Sequence, residues 1–146
     1  MKIVPMDLTH VDAVANLEKV CFHDPWSLNA ITGEVSNPLS IWFVALDGER
    51  VVGYIGSQAV IDLADVMNVA IEPSYRRRGI AELLIKELED ALKAQGVIGL
   101  LLEVRVSNEP ARNLYEKMGF SVVGRRPGYY SHPKEDALIM RNELEI

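Results

Sequence analysis

The run Tyr75-Arg76-Arg77-Arg78-Gly79-Ile80-Ala81 puts three cations and a glycine where a helix begins, and it continues as Glu82-Leu83-Leu84-Ile85-Lys86-Glu87-Leu88. A helix start carries unpaired backbone N–H groups and a partial positive charge, so it can hold an anion, with a pyrophosphate the best match. Solvated surface arginines and plain turn chemistry at Gly79 account for the same residues equally well. The spacing is neither that of a lysine-bearing phosphate loop nor G-x-G-x-x-G. Glu103 stands inside Leu100-Leu101-Leu102-Glu103-Val104-Arg105-Val106, where a central strand ordinarily excludes a carboxylate. Strand alternation puts Leu101, Glu103 and Arg105 on one face, so Glu103 is either half of a structural pair with Arg105 or a general base beside a cleft. Tyr115, among Ala111, Leu114 and Met118, reads as a core aromatic or as a proton donor. Ser107-Asn108-Glu109-Pro110 is the only link between the two segments, so Glu103, Asn108 and Tyr115 can meet at one strand end. In open α/β sheets that end binds ligands.

The elements that must position these residues follow from periodicity. Lys2 to Met6 reads as a first strand, and Thr9 as the cap of a helix with apolar positions Val11, Val14, Leu17, Val20 and Cys21. Ser27 caps a second helix through Leu28, Ile31 and Val35, ending before Asn37-Pro38. Ser40–Leu46 and Arg50–Val60 form a hairpin about Asp47-Gly48-Glu49, and Val66–Ile71 is a further strand. The long helix after Arg76 turns Ile80, Leu84, Leu88 and Ala91 inward, carries Glu82–Lys86 and Glu89–Lys93 pairs outside, and stops at Gly96. Gly99–Val106 is an apolar strand, Ala111–Met118 a helix, and Ser121–Val123 and Ala137–Met140 two more strands. The segment from Arg125 to Pro133 is an aromatic loop. The order β-α-α-β-β-β-α-β-α-β-β predicts an α/β fold, one mixed sheet of about seven strands with about four helices on both sides.

The chain has 146 residues, 49% of them hydrophobic, and a net charge of −6. That length and balance predict one globular domain spanning residues 1–146. On an acidic background a small cationic cluster suits a phosphorylated small molecule better than nucleic acid. No apolar run approaches a signal peptide or a membrane span, so a cytoplasmic protein without membrane contact is expected. Cys21 is the only cysteine and falls on the apolar side of a helical pattern, which favours packing over nucleophilic chemistry. His10, His23 and His132 are too scattered to suggest a metal by motif, so none is expected.

Arg76-Arg77-Arg78-Gly79-Ile80-Ala81 resembles the Gln/Arg-x-x-Gly-x-Gly/Ala acetyl-CoA signature of the GNAT N-acetyltransferase superfamily. Further segments resemble one branch of it, the ribosomal-protein-alanine N-acetyltransferases and related archaeal N-terminal acetyltransferases. These are Pro25-Trp26-Ser27, Asn68-Val69-Ala70-Ile71, Leu102-Glu103-Val104-Arg105-Val106-Ser107-Asn108, Leu114-Tyr115-Glu116-Lys117-Met118-Gly119-Phe120, Tyr129-Tyr130 and Glu135-Asp136-Ala137. They cover nearly the whole chain in the expected order. The resemblance implies the GNAT fold, mostly antiparallel, and acetyl-CoA as co-substrate. The backbone of Val69, Ala70 and Ile71 would hold the pantetheine arm, and Arg77, Arg78, Gly79, Ile80, Ala81 and Glu82 the pyrophosphate. Asn108 would touch the cofactor, Glu103 would be the base and Tyr115 the acid. Phe22, Trp26, Tyr129 and Tyr130 would flank the substrate groove, although each also suits a structural role. Pro127-Gly128 before the tyrosine pair departs from the bacterial pattern and bears on the acceptor's first residue.

The acceptor implied is the α-amine of a protein N-terminus, with a ribosomal protein N-terminal alanine favoured, and transfer is direct in a ternary complex. Residue chemistry suits this. A model α-amine has a pKa of about 7.7–8.0 against about 10.4 for lysine, so one carboxylate acting through water is an adequate base. A lysine or small-molecule amine acetyltransferase is a first alternative, and a non-catalytic acetyl-CoA-binding regulator a second.

Overall fold

The computed structural model describes residues 1–144, so the last two residues of the expected domain lie outside the described residues. Its elements are β1 (Lys2–Pro5), α1 (Val11–Cys21), α2 (Leu28–Ser36), β2 (Ser40–Asp47), β3 (Arg50–Val60), β4 (Leu63–Ile71), α3 (Ile80–Ala94), β5 (Gly99–Arg105), α4 (Glu109–Lys117), β6 (Ser121–Tyr130) and β7 (Glu135–Glu143). Seven strands make one sheet in the order β1-β2-β3-β4-β5-β7-β6. All neighbours are antiparallel except β4 and β5. The expected order and mixed sheet are therefore observed.

Alternation along the central strands explains how one sheet carries helices on both faces. Phe43 and Ala45 of β2 pack with Val52 and Ile55 under Ile80, Leu84, Ile85, Leu88 and Leu92 of α3. Trp42 and Val44 face the other way, onto Val14 and Leu17 of α1 and Ile31 of α2. The α3 stripe thus includes Ile85 and Leu92 as well as the expected positions, whereas Ala91 is half-buried.

Several boundaries differ from the sequence reading for local reasons. The α1 cap is His10, not Thr9. Thr9 instead bonds back to Asp7, whose own N–H donates to His10 Nδ1 at 3.0 Å. Val20 lies on the outer face of α1 and is exposed, while Glu18 occupies the inner face. β4 begins at Leu63 because Val60 and Leu63 close a hairpin around Ile61, which adopts φ 61 without the glycine that would have signalled it. β6 continues through Pro127-Gly128 to Tyr130, so most of the expected aromatic loop is strand. Its edge position and the register shift between Arg126 and Tyr130 accommodate the proline. The helix-surface pairs also differ, since Glu82 meets Lys117 at 3.2 Å and Glu89 accepts from Asn142.

Candidate active site

β4 and β5 run side by side only from Leu63–Asp65 against Gly99–Leu101. Beyond that they part. β4 bends because Met67 is an extra residue opposite the Gly56–Ser57 step, and a bulge of this kind redirects a strand. β5 instead follows β7 from Gly99 to Arg105. The fork leaves a cleft of about 640 Å³ between Val66–Val69 and Leu102–Arg105, with Asn108 and Tyr115 beyond its β5 side. Among the described residues no strand pairs with Asn68–Ile71 on the β5 side, while β3 pairs with them on the other. Backbone groups of β4 there are open to a ligand, apart from the Ile71 carbonyl, which accepts from Arg76 Nε.

Glu103 is half-buried in the wall of this cleft. Its Oε2 is shielded from solvent and no donor meets it in hydrogen-bond geometry, although the Tyr129 hydroxyl lies beside the carboxylate, its pKa raised by burial and then by Glu103. The nearest cation is Arg126, whose Nε is 3.5 Å away. The alternative pairing with Arg105 does not form. Arg105 bonds instead to Glu135 at 3.3 Å and to the carbonyls of Ser131 and Pro133, with its guanidinium 4.4 Å from the Tyr130 ring centre. Glu135 in turn accepts from the Ser107 N–H at 2.6 Å, which ties the β6–β7 turn to the start of α4.

Tyr115 is buried against Phe120 and lines the same cleft. Burial pushes its pKa up to about 12, so the phenol keeps its proton at any ordinary pH. Asn108 caps α4, its Oδ1 accepting from the Ala111 N–H at 3.3 Å, and faces the cleft too. The link read from sequence therefore does bring Glu103, Asn108 and Tyr115 together. Tyr130 is likewise pushed up to about 12, by burial first and then by the Glu103 carboxylate, with a smaller contribution from Tyr115.

The expected substrate residues enter from two sides. Phe22 and Trp26 come from the α1–α2 connection, and Tyr129 and Tyr130 from the end of β6. Trp26 also serves packing, edge-on to Trp42 at 5.5 Å. His23 and His132, far apart in sequence, meet with ring centres 4.0 Å apart and planes tilted by 31°, and join the two aromatic segments. Cys21 stays outside the lining residues. Burial raises its thiol pKa, with Arg76 pulling in the opposite direction.

The expected anion site lies past the end of β4. A short turn, Pro73–Tyr75, leads to Gly79, which caps α3 with φ 76. A Cβ there would meet nothing within 4 Å, so the glycine is required by the backbone angle, and the helix start is sterically open. Arg76 is engaged with the Ile71 carbonyl at 3.2 Å, and Arg78 lies over the Tyr75 ring at 4.8 Å. Arg77 forms no salt bridge among the described residues. Ile80 is buried beneath, so it can meet a ligand there only through its backbone. Val69 reaches the cleft, whereas Ala70, Ile71 and Arg77–Glu82 lie outside its lining, along the rest of β4 and at the start of α3.

A profile of the acetyltransferase (GNAT) family matches residues 11–120. The chain belongs to that family. It is 35% identical over 138 residues to the ribosomal protein bS18-alanine N-acetyltransferase of Salmonella typhimurium, covering 92% of each protein. The crystal structure of the ribosomal-protein-S18-alanine N-acetyltransferase from Escherichia coli superimposes with a TM-score of 0.91 at 31% identity, covering 99% of this chain and 94% of that one. Arabidopsis thaliana NAA60 in complex with acetyl-CoA shares the fold at 20% identity, with a TM-score of 0.85 and 98% of each chain covered.

Sequence reasoning missed several lining residues, among them Asp24, Met67 and Asn68 in a site role, and the buried Glu18 behind them. Glu18 left one legible signal, a carboxylate at helical spacing from Val11 and Val14 on the apolar face of α1. The β4 bulge left none, because Met67 is an unremarkable strand residue.

Proposed function

We propose that this protein transfers the acetyl group of acetyl-CoA to the N-terminal α-amine of a protein, by direct attack in a ternary complex. The observation that carries this reading is a solvent-shielded Glu103 oxygen that accepts no hydrogen bond and meets only the Arg126 guanidinium at 3.5 Å, in a cleft that also presents the buried Tyr115 phenol. Relatives named for acting on ribosomal protein bS18 at its alanine support a ribosomal protein N-terminal alanine as acceptor. Such a substrate supports a cytoplasmic protein, with residues 1–146 read as one catalytic domain.

The residues at hand fit acetyl-CoA. The open helix start at Gly79 and the free Arg77 suit a pyrophosphate, and the unpaired edge of β4 at Val69 to Ile71 suits an extended amide-bearing arm. Asn108 stands at the opposite wall. When bound there, acetyl-CoA supplies an activated acyl group as a thioester.

The chain's own groups then divide the work. Glu103 takes a proton from the α-ammonium, directly or through one water, so that the amine can attack. N–H groups on the free edge of β4 oppose the negative charge that develops on the acyl oxygen. Tyr115 is held at about 12. Full transfer of its proton to a thiolate of pKa ~8.5 is therefore uphill by roughly 5 kcal/mol. Its role is to donate a hydrogen bond to the sulfur as the C–S bond breaks; solvent takes the second proton that the nitrogen loses on becoming an amide and protonates the thiolate. Cys21, outside the cleft and with a raised thiol pKa, offers no acyl-enzyme route.

The test compares kcat/KM for two peptides, one with a free alanine N-terminus and one with a blocked N-terminus and a free lysine. Preference for the first supports the proposal. Preference for the lysine peptide would replace it with a lysine acetyltransferase, and absence of thiol release with any amine would leave only acetyl-CoA binding.

A further inference from the structure

Glu18 is completely buried, and no cation pairs with it among the described residues. Its carboxylate accepts from the Trp26 N–H at 2.8 Å, from Asn68 Nδ2 at 2.7 Å and from the Tyr54 hydroxyl. Trp26 and Asn68 both line the cleft, and both of these N–H groups can only donate. Tyr54 is fully buried in β3 and does not reach the cleft. One carboxylate on α1 thus joins the α1–α2 connection to the bend of β4, from behind the surface a substrate would touch.

We propose that Glu18 is a positioning residue that fixes the acceptor side of the cleft by holding Trp26 and Asn68 in their places. This rests on reading the cleft as an acyl-transfer site. Stability alone does not account for the residue. Burial raises the pKa of Glu18, an effect that the bonds from Tyr54 and Trp26 only partly reverse. An apolar side chain of similar size would fill the position without that cost. Glu34 provides the internal contrast. It is also buried and accepts from Asn37, Ser40, Trp42 and Gln58, none of which lines the cleft. Val69 to Ile71 are held by their ladder to β3 rather than by Glu18, so the donor end of the site is independent of it.

Glu18→Gln keeps the shape but leaves one acceptor oxygen where two now serve three donors, so the bonds from Trp26, Asn68 and Tyr54 cannot all be kept as they are. In the folded variant, KM for the alanine-terminated peptide rises roughly tenfold to a hundredfold, the scale of a small misplacement of site residues. KM for acetyl-CoA stays at its parental value, and Glu34→Gln moves neither constant. Fluorine NMR of fluorotryptophan-labelled protein gives one resonance for each of the two tryptophans, and Trp26→Phe assigns them. The Trp26 resonance broadens or shifts in Glu18→Gln. Parental peptide KM and a parental Trp26 resonance in a folded Glu18→Gln overturn the assignment. If that variant does not fold, Glu18→Asp carries the test: it keeps the carboxylate but withdraws it from the Trp26 N–H and Asn68, so a raised peptide KM supports the assignment and an unchanged peptide KM with a parental Trp26 resonance overturns it. The NMR readout needs no turnover, so a parent protein inactive on every peptide would remove the proposed function without deciding the role of Glu18.

Discussion

The Arg126 guanidinium stands 3.5 Å from the Glu103 carboxylate, reaching it from β6, while Arg105, its neighbour on the same strand face, is turned away to Glu135. Glu103 therefore faces the cleft with an ion pair too long to count as a hydrogen bond and open to water on the arginine side. Such a pair contributes at most about 1 kcal/mol. Arg126→Gln is expected to leave the melting temperature nearly unchanged. Glu103→Gln is expected to lower kcat by about 10²–10⁴, the usual share of a general base, with acetyl-CoA still binding in calorimetry. A Glu103→Gln enzyme with parental kcat would place the base elsewhere.

Tyr115→Phe tests the opposite wall. Loss of a donor to the leaving group should reduce kcat by roughly 10²-fold or more while acetyl-CoA affinity is kept.

The pH behaviour follows from the same residue. The folded-state pKa, raised to about 12 by burial, exceeds the ~10 of an unfolded tyrosine. Its contribution to stability is therefore fully present below about pH 10 and is lost as pH rises through about 12. Tyr115→Phe should abolish that part of the alkaline loss in melting temperature. The kcat/KM profile should show no falling limb from this phenol below about pH 11, and a limb near 10 that disappears in Tyr115→Phe would contradict the burial argument.

Gly79→Ala and Arg77→Ala separate backbone from charge at the helix start. The first forces a side chain into φ 76 and should cost about 1–2 kcal/mol of stability while raising KM for acetyl-CoA. The second should leave stability alone and weaken acetyl-CoA binding about tenfold, as expected for one charge-assisted contact to phosphate. Both should spare the affinity for peptide.

Gly56→Ala should be the more damaging glycine substitution. A Cβ at Gly56 would lie 2.3–2.5 Å from three atoms of the Trp42 ring, which the core holds on its other side. Overpacking of this kind costs about 1–3 kcal/mol, measurable by chemical denaturation.

What the sequence determined by itself were the features with a local cause. The cap at Ser27, the Asp47–Arg50 hairpin, the alternation that sets Glu103 apart on β5, and the left-handed glycine before α3 each depend on a few adjacent residues. The short path from Glu103 through Asn108 to Tyr115 was legible for the same reason, since one brief connection leaves little freedom in where its ends go. The tertiary structure alone decided which partners these residues meet. That Glu103 faces Arg126 rather than Arg105, that His23 meets His132, and that Glu18 bonds to Trp26 and Asn68 all depend on strand register and on helices crossing a sheet. Register at distant pairs is set by the packing of the whole core, and no local pattern of residues encodes it.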